Sequence, residues 1–263
     1  MGAGLDSLLR IDGKIALIAD SGGCGSIDVA PLLAQAGAQI ILADKDAEKT
    51  QALAVKIGGA ARAVPTDIES EMSVLALFEM IRTRFGRLDI LVNCAGLTAN
   101  APLPETSMAQ YDEMQSVNLR ATFMLMRESV KLMQEGGQGG RIVSITTIGA
   151  LHPVLHGNVA YGATRAGVTA MTKSIALDHA ADGIRANLVM PGAVYGKTRF
   201  HADSQARLAA GERLTGPIQQ AGRLPFGMGN GQDIAAAVLY LVGPASAYIT
   251  GQSIVLDGGF LVT

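Results

Sequence analysis

The chain has 263 residues, a formal net charge of -2 and a hydrophobic share of 49%. That is enough apolar material for the core of one α/β unit, and no basic patch or stripe marks it as a nucleic-acid binder. No apolar run is long enough to span a bilayer, and the start Met1-Gly-Ala-Gly-Leu-Asp-Ser lacks the basic-then-apolar pattern of a leader, so a cytoplasmic protein without a membrane partner is expected.

In chain order, short β-rich apolar runs alternate with longer helical patterns. Ile15 to Ala19 reads as a strand, Ser26 to Gln35 as a helix, and Gln39 to Asp44 and Arg62 to Val64 as further strands. Ser70 to Phe85 is helical, Leu88 to Asn93 a strand, Met108 to Met133 a long helix, and Arg141 to Thr146 a strand. Then follow the helix Val159 to Ala180, the strand Ile184 to Met190, the helix Gln232 to Leu241 and the strand Ser253 to Leu256. Such alternation predicts βαβ units and a doubly wound, Rossmann-type parallel sheet of seven strands with helices on both faces, filling residues 1–263 as a single domain. Ligands are expected at the carboxyl ends of the strands. Gly136-Gly-Gln-Gly-Gly140 reads as a helix-to-strand loop, and Ala193 to Pro225 as a long, lid-like connection.

Within the helix Val159 to Ala180, Tyr161 and Arg165 stand at i and i+4, so they share a face and the guanidinium can hold its charge beside the phenol. That pairing suits an acid/base tyrosine. Cys24 and Cys94 are too few and too far apart for a disulfide framework or a zinc site, and small core or loop residues are expected there. No metal is expected.

Several motifs in order resemble the short-chain dehydrogenase/reductase family, nearly end to end. Asn93-Cys94-Ala95-Gly96 resembles its N-x-A-G element after the fourth strand, and Asn118 in Val117-Asn118-Leu119 its helix asparagine. Pro191-Gly192 after the sixth strand, Thr250-Gly251-Gln252 and Asp257-Gly258-Gly259 stand where the family has them. The resemblance implies a dinucleotide site. Asp44, in Ile41-Leu42-Ala43-Asp44, matches the acidic residue that takes hydrogen bonds from the adenosine ribose, which implies NAD as cofactor over NADP; capping the next helix is its alternative role. Asp67 matches the residue that approaches the adenine, or else serves an ordinary turn. Asn93, Ala95, Gly96, Pro191 and Gly192 complete the implied cofactor contacts.

The phosphate loop departs from the pattern. Where the family reads T-G-x-x-x-G-x-G, this chain has Ala19-Asp20-Ser21-Gly22-Gly23-Cys24-Gly25-Ser26, so all three glycine positions are taken by other residues. Ser21, Gly22, Gly23 and Gly25 can still form a tight turn at a helix start, with Ser26 as a cap. Asp20 puts a negative charge near the expected pyrophosphate.

The catalytic set departs too. In the family a Ser orients the substrate oxygen, a Tyr exchanges the proton, a Lys supports the Tyr and grips the nicotinamide ribose, and an Asn holds a relay water. Here Thr146 and Thr147 occupy the serine region, Tyr161 is present, Arg165 replaces the Lys and Asn118 is retained. Thr147 lies one residue further from Tyr161 than the family spacing, and Thr198 two positions later than the family's Thr after Pro-Gly. His152 and His156, in the loop before the Tyr161 helix, are either substrate contacts or plain surface residues. Tyr195, Arg199, Phe200 and His201 fall in the lid segment.

These residues leave three readings. The leading one is an NAD-dependent oxidoreductase that interconverts a secondary alcohol and a ketone in a small-molecule substrate. The Tyr161 and Arg165 pair also resembles the halohydrin dehalogenases, cofactor-free lyases related to the family, although the aromatic residue of their loop has no counterpart in Asp20 to Ser26. The third is a catalytically silent member. A homotetramer or homodimer is expected, since family relatives pair helices equivalent to Met108 to Met133 and Val159 to Ala180.

Overall fold

A computed structural model describes residues 4–19, 26–195 and 215–263. Strands β1 (Ile15–Ala19), β2 (Gln39–Asp44), β3 (Ala61–Pro65), β4 (Ile90–Asn93), β5 (Gly140–Ile145), β6 (Ile184–Pro191) and β7 (Ser253–Leu256) make a seven-stranded sheet in the order β3-β2-β1-β4-β5-β6-β7. Every neighbouring pair is parallel. The expected Rossmann-type α/β architecture is the observed one. β4 starts at Ile90 instead of Leu88; just before it, Asp89 already bonds Ile15 and Arg141 through its backbone, and its carboxylate accepts the Ile15 N–H at 2.9 Å.

Alternate residues of the strands feed two separate cores, as the period of two in a strand requires. Leu17, Ile41, Leu91, Ile142 and Leu188 face one side, under α4 (Glu71–Phe85), α6 (Ala121–Gly136) and α7 (Val159–Asp178). Ile18, Ile40, Val92, Val143 and Val189 face the other, under α2 (Ser26–Gln35) and α8 (Gly231–Val242), while the short α1 (Leu5–Leu9) precedes β1. Each of these large side chains, once buried, stabilises the fold by about 1.5–3 kcal/mol.

Two further features differ from the sequence expectation. Ala47–Ile57 forms a helix, α3, outside the expected elements; Thr50 and Ala54 are buried, Leu53 and Ile57 pack against the core beside them, and Asp46 caps it by accepting the Lys49 N–H at 3.0 Å. The long helix expected from Met108 to Met133 is interrupted: α5 (Met108–Met114) runs into a π-helical segment, Gln115–Arg120, before α6 begins. The Ala121 N–H reaches back to the Ser116 carbonyl, five residues earlier, and Asn118 lies within this widened turn. Such π segments are frequently found at functional sites.

Candidate active site

Strand order reverses between β1 and β4, which opens a crevice at the carboxyl ends of the strands. The residues following β1 are Asp20 to Gly25, so Ser21, Gly22, Gly23 and Gly25 lie outside the described residues. Thr198, Arg199, Phe200 and His201 of the lid segment lie outside them as well.

On one side of the crevice, Asp44 ends β2 and is 5% exposed, with Oδ1 accepting the Asp46 N–H at 2.8 Å. Asp46, not Asp44, is the cap of α3. Asp67 is exposed, and its Oδ1 accepts the Glu69 N–H at 3.0 Å, an Asx turn leading toward α4.

β4 delivers Asn93, which is fully buried; its Nδ2 donates to Thr122 Oγ1 at 2.9 Å and its Oδ1 accepts the Ala95 N–H at 3.3 Å. Across from this turn stands α7, with Tyr161 in its first turn. Arg165, only 3% exposed, donates from Nη1 to the Ala95 carbonyl at 2.8 Å, and its guanidinium carbon lies 5.1 Å from the centroid of the Tyr161 ring. The other terminal nitrogen occupies the room over Gly96 that a Cβ there would need. Arg165 Nε is buried without a hydrogen-bond partner among the described residues. Tyr161 itself is half-buried and packs against Leu97, Met114 and Val117.

Asn118 is a clamp. Its Oδ1 accepts the Leu97 N–H at 2.7 Å, while Nδ2 donates to the Leu97 carbonyl at 2.8 Å and to Thr164 Oγ1 at 3.0 Å. Both amide hydrogens are thereby used within the protein. A water held at this residue has the backbone carbonyl left to it, which also accepts Thr122 Oγ1 at 2.8 Å.

The two threonines of the serine region are placed differently. Thr146 continues the sheet beyond β5, is 7% exposed, and its Oγ1 is buried with no partner among the described residues. Thr147 caps a single 3-10 turn (Ile148–Ala150), where its Oγ1 accepts the Gly149 N–H at 3.1 Å and keeps its own proton available to donate. Gly149 lies close against Gly162 of α7, so this turn and the Tyr161 turn are neighbours. Pro191 closes β6, and Gly192 donates its N–H to the Leu256 carbonyl at 2.8 Å, in a place where a Cβ would meet the Asp257 backbone.

His156 is tied to Thr215, Nδ1 to Oγ1 at 2.9 Å, and His152 lies 6.0 Å from the Phe260 ring, centroid to centroid. Among the described residues no group of three or more His, Cys, Asp or Glu is placed to hold a metal ion, and no helix is long and apolar enough to cross a membrane. Sequence reasoning missed Thr122 and Thr164, the two hydroxyls that join Asn93, Asn118 and α7.

Comparisons with known proteins bear on this arrangement. A family model described as enoyl-(acyl carrier protein) reductase matches residues 22–261. The chain is 33% identical over 261 residues to D-threitol dehydrogenase of Mycolicibacterium smegmatis, covering 98% of this chain and 96% of the relative. The chain belongs to the short-chain dehydrogenase/reductase family. It is also 32% identical over 257 residues to sorbitol dehydrogenase of Cereibacter sphaeroides, covering 95% of this chain and 98% of the relative. A solved structure from Agrobacterium tumefaciens, named for a 2-deoxy-D-gluconate 3-dehydrogenase and holding NADP, superimposes with a TM-score of 0.82 at 29% identity, covering 97% of this chain and 99% of that one. As a short-chain dehydrogenase/reductase the protein is an oxidoreductase acting between alcohol and ketone, in a family that uses NAD or NADP.

Proposed function

We propose that the whole chain works as one Rossmann-type unit that interconverts a secondary alcohol and a ketone of a small molecule with NAD(H). The observation that carries this reading is the meeting of Tyr161, Arg165 and the Asn93–Gly96 turn at the carboxyl end of β4. Polyols such as D-threitol and D-sorbitol are the first substrates to try, because relatives named for them align with nearly the full chain.

The described residues fit a dinucleotide at the adenosine end. A buried carboxylate, Asp44, ends β2 beside the crevice, where it favours ribose hydroxyls and opposes a 2′-phosphate. Ala95 and Gly96 would hold the nicotinamide end together with Pro191 and Gly192. When bound, the nicotinamide supplies hydride transfer.

The chain's own groups handle the proton and the orientation. Tyr161 Oη gives its proton to the substrate oxygen during reduction and takes it back during oxidation, the general acid/base role. Thr147 serves as the orienting hydroxyl, since Gly149 takes one lone pair and leaves the O–H to donate to that same oxygen. Thr146, buried one residue earlier, is the poorer placed of the two. Arg165 flanks the Tyr161 ring with a positive charge whose hydrogen bond goes to a carbonyl and not to a carboxylate. Asn118 acts by fixing Leu97 and the start of α7.

We read the assembly as a homotetramer or homodimer. Phe123 on α6 and Leu177 on α7 are 52% and 78% exposed, large apolar groups on the two helices expected to pair. Light scattering at micromolar concentration that gave only monomer would remove this part of the reading.

The cofactor claim is tested by thermal shift with NADH and NADPH. A ligand that binds the folded state at a concentration of 100 Kd stabilises it by about 2.7 kcal/mol. A rise in Tm with NADH that exceeds the rise with NADPH is the expected result; no rise with either contradicts it.

A further inference from the structure

Tyr161 sits in the first turn of α7, yet Asn158, at the N-cap of that helix, makes no side-chain hydrogen bond to it. The first backbone N–H groups of a helix have no partner within it, so a first turn without a side-chain cap opens most readily. Here the turn is fastened from its other end. Thr164 Oγ1 donates to the Tyr161 carbonyl at 2.7 Å and accepts from Asn118 Nδ2 at 3.0 Å. Asn118 is in turn locked to Leu97 through both ends of its amide, and Thr122 bridges its carbonyl to Asn93 at 2.8 and 2.9 Å. Asn93, Asn118, Thr122 and Thr164 are all fully buried. The result is one continuous hydrogen-bonded path from the end of β4 to the backbone of Tyr161. Further along α7, Gly167 has the Leu119 side chain where a Cβ would project, so helix and π segment are also in close approach there.

We infer that Thr164 is a positioning residue for Tyr161: its hydroxyl pins the uncapped first turn of α7 to the Asn118 clamp and so fixes where the phenol stands. The functional consequence rests on Tyr161 being the acid/base; the positional claim does not. A hydroxyl is required because one atom must both accept from Asn118 and donate to the Tyr161 carbonyl. Valine has the shape of threonine and neither capacity. Its substitution leaves one hydrogen of Asn118 Nδ2 unpaired in a dry interior and releases the Tyr161 carbonyl from its tether. Serine keeps both bonds.

The test compares Thr164→Val, Thr164→Ser and Tyr161→Phe with the unaltered full chain. Hydrogen exchange, which needs no turnover, is followed over amides 159–165 and 168–178. Thr164→Val is expected to speed exchange in the first group and leave the second unchanged, and Thr164→Ser to restore it. In NAD+-dependent oxidation of D-threitol and D-sorbitol, Thr164→Val is expected to lower kcat about tenfold with KM for NAD+ within about twofold, the pattern of a misplaced reacting group. Unchanged exchange over 159–165 overturns the inference whatever the activity. A lower Tm with kcat untouched, or a serine variant that behaves like the valine one, overturns it as well. Polyol oxidation that survives Tyr161→Phe counts instead against the acid/base role, and the exchange result still judges Thr164.

Discussion

Arg165 takes up the room that Gly96 leaves by having no side chain. A Cβ on Gly96 would overlap one guanidinium nitrogen while the other holds the Ala95 carbonyl at 2.8 Å, so the glycine of the β4 turn and the arginine of α7 form one unit. Gly96→Ala is therefore expected to push the guanidinium away from the Tyr161 ring. The forced repacking should cost about 1–3 kcal/mol and lower kcat about tenfold or more. Thermal melts and steady-state rates check this; unchanged values in both mean that Arg165 can move aside freely.

Arg165→Lys tests the exchange that sets this chain apart from its family. If the site works by hydride transfer, a lysine restores the compact ammonium expected to grip the nicotinamide ribose, and kcat should be kept or raised. Tm should fall slightly, because the shorter head cannot copy the fork that spans Ala95 and Gly96. A kcat that collapses with NADH binding intact would mean that the planar fork itself serves the reaction.

Asp44→Ala should narrow the preference for NADH over NADPH. Removing the hydrogen bonds that a charged carboxylate accepts from ribose hydroxyls costs about 1.5–3 kcal/mol, roughly a factor of ten or more in Kd for NADH. Calorimetric titration of both cofactors gives the answer. An unaltered protein that binds NADPH more tightly than NADH assigns the carboxylate another task.

A pH-dependent test of stability comes from Glu128 on α6. Burial raises its carboxyl, but hydrogen bonds and charge from Lys131 and Arg127 outweigh that and hold it below the ordinary 4.5. A carboxyl depressed by folding contributes stability that is present above its unfolded value and fades as pH falls through the folded one. Glu128→Gln should thus cost about 1–3 kcal/mol at pH 7, as expected for hydrogen bonds to a charged group. The difference should shrink as pH is lowered below the ordinary carboxyl value of 4.5; a constant difference across pH would assign the effect to packing.

Much of this was readable in the chain because apolar runs of strand length alternate with helical periods. β1, β2 and β7 fall where the runs predict them. Leu88 is as apolar and buried as a strand residue, which hid the start of β4. α3 escaped because its apolar face, Leu53, Ala54 and Ile57, is confined to the second half of the helix, and the π segment escaped because one extra residue in a turn barely disturbs a helical period. In the site, Tyr161, Arg165, Asn93 and Asn118 stand out by motif. Thr122 and Thr164 do not, since a hydroxyl in mid-helix looks the same in sequence whether it faces solvent or bridges two elements. The contact between Gly96 and Arg165 joins distant segments and needed the fold to be seen.

The role of Tyr161 is measured most directly by NADH formation from NAD+ with D-threitol, D-sorbitol and related polyols, in the unaltered chain and in Tyr161→Phe. Removing the transferable proton should lower kcat at least ~100-fold while NADH binding stays within about threefold, since general acid/base groups contribute on that scale. Turnover that persists in Tyr161→Phe would contradict the account.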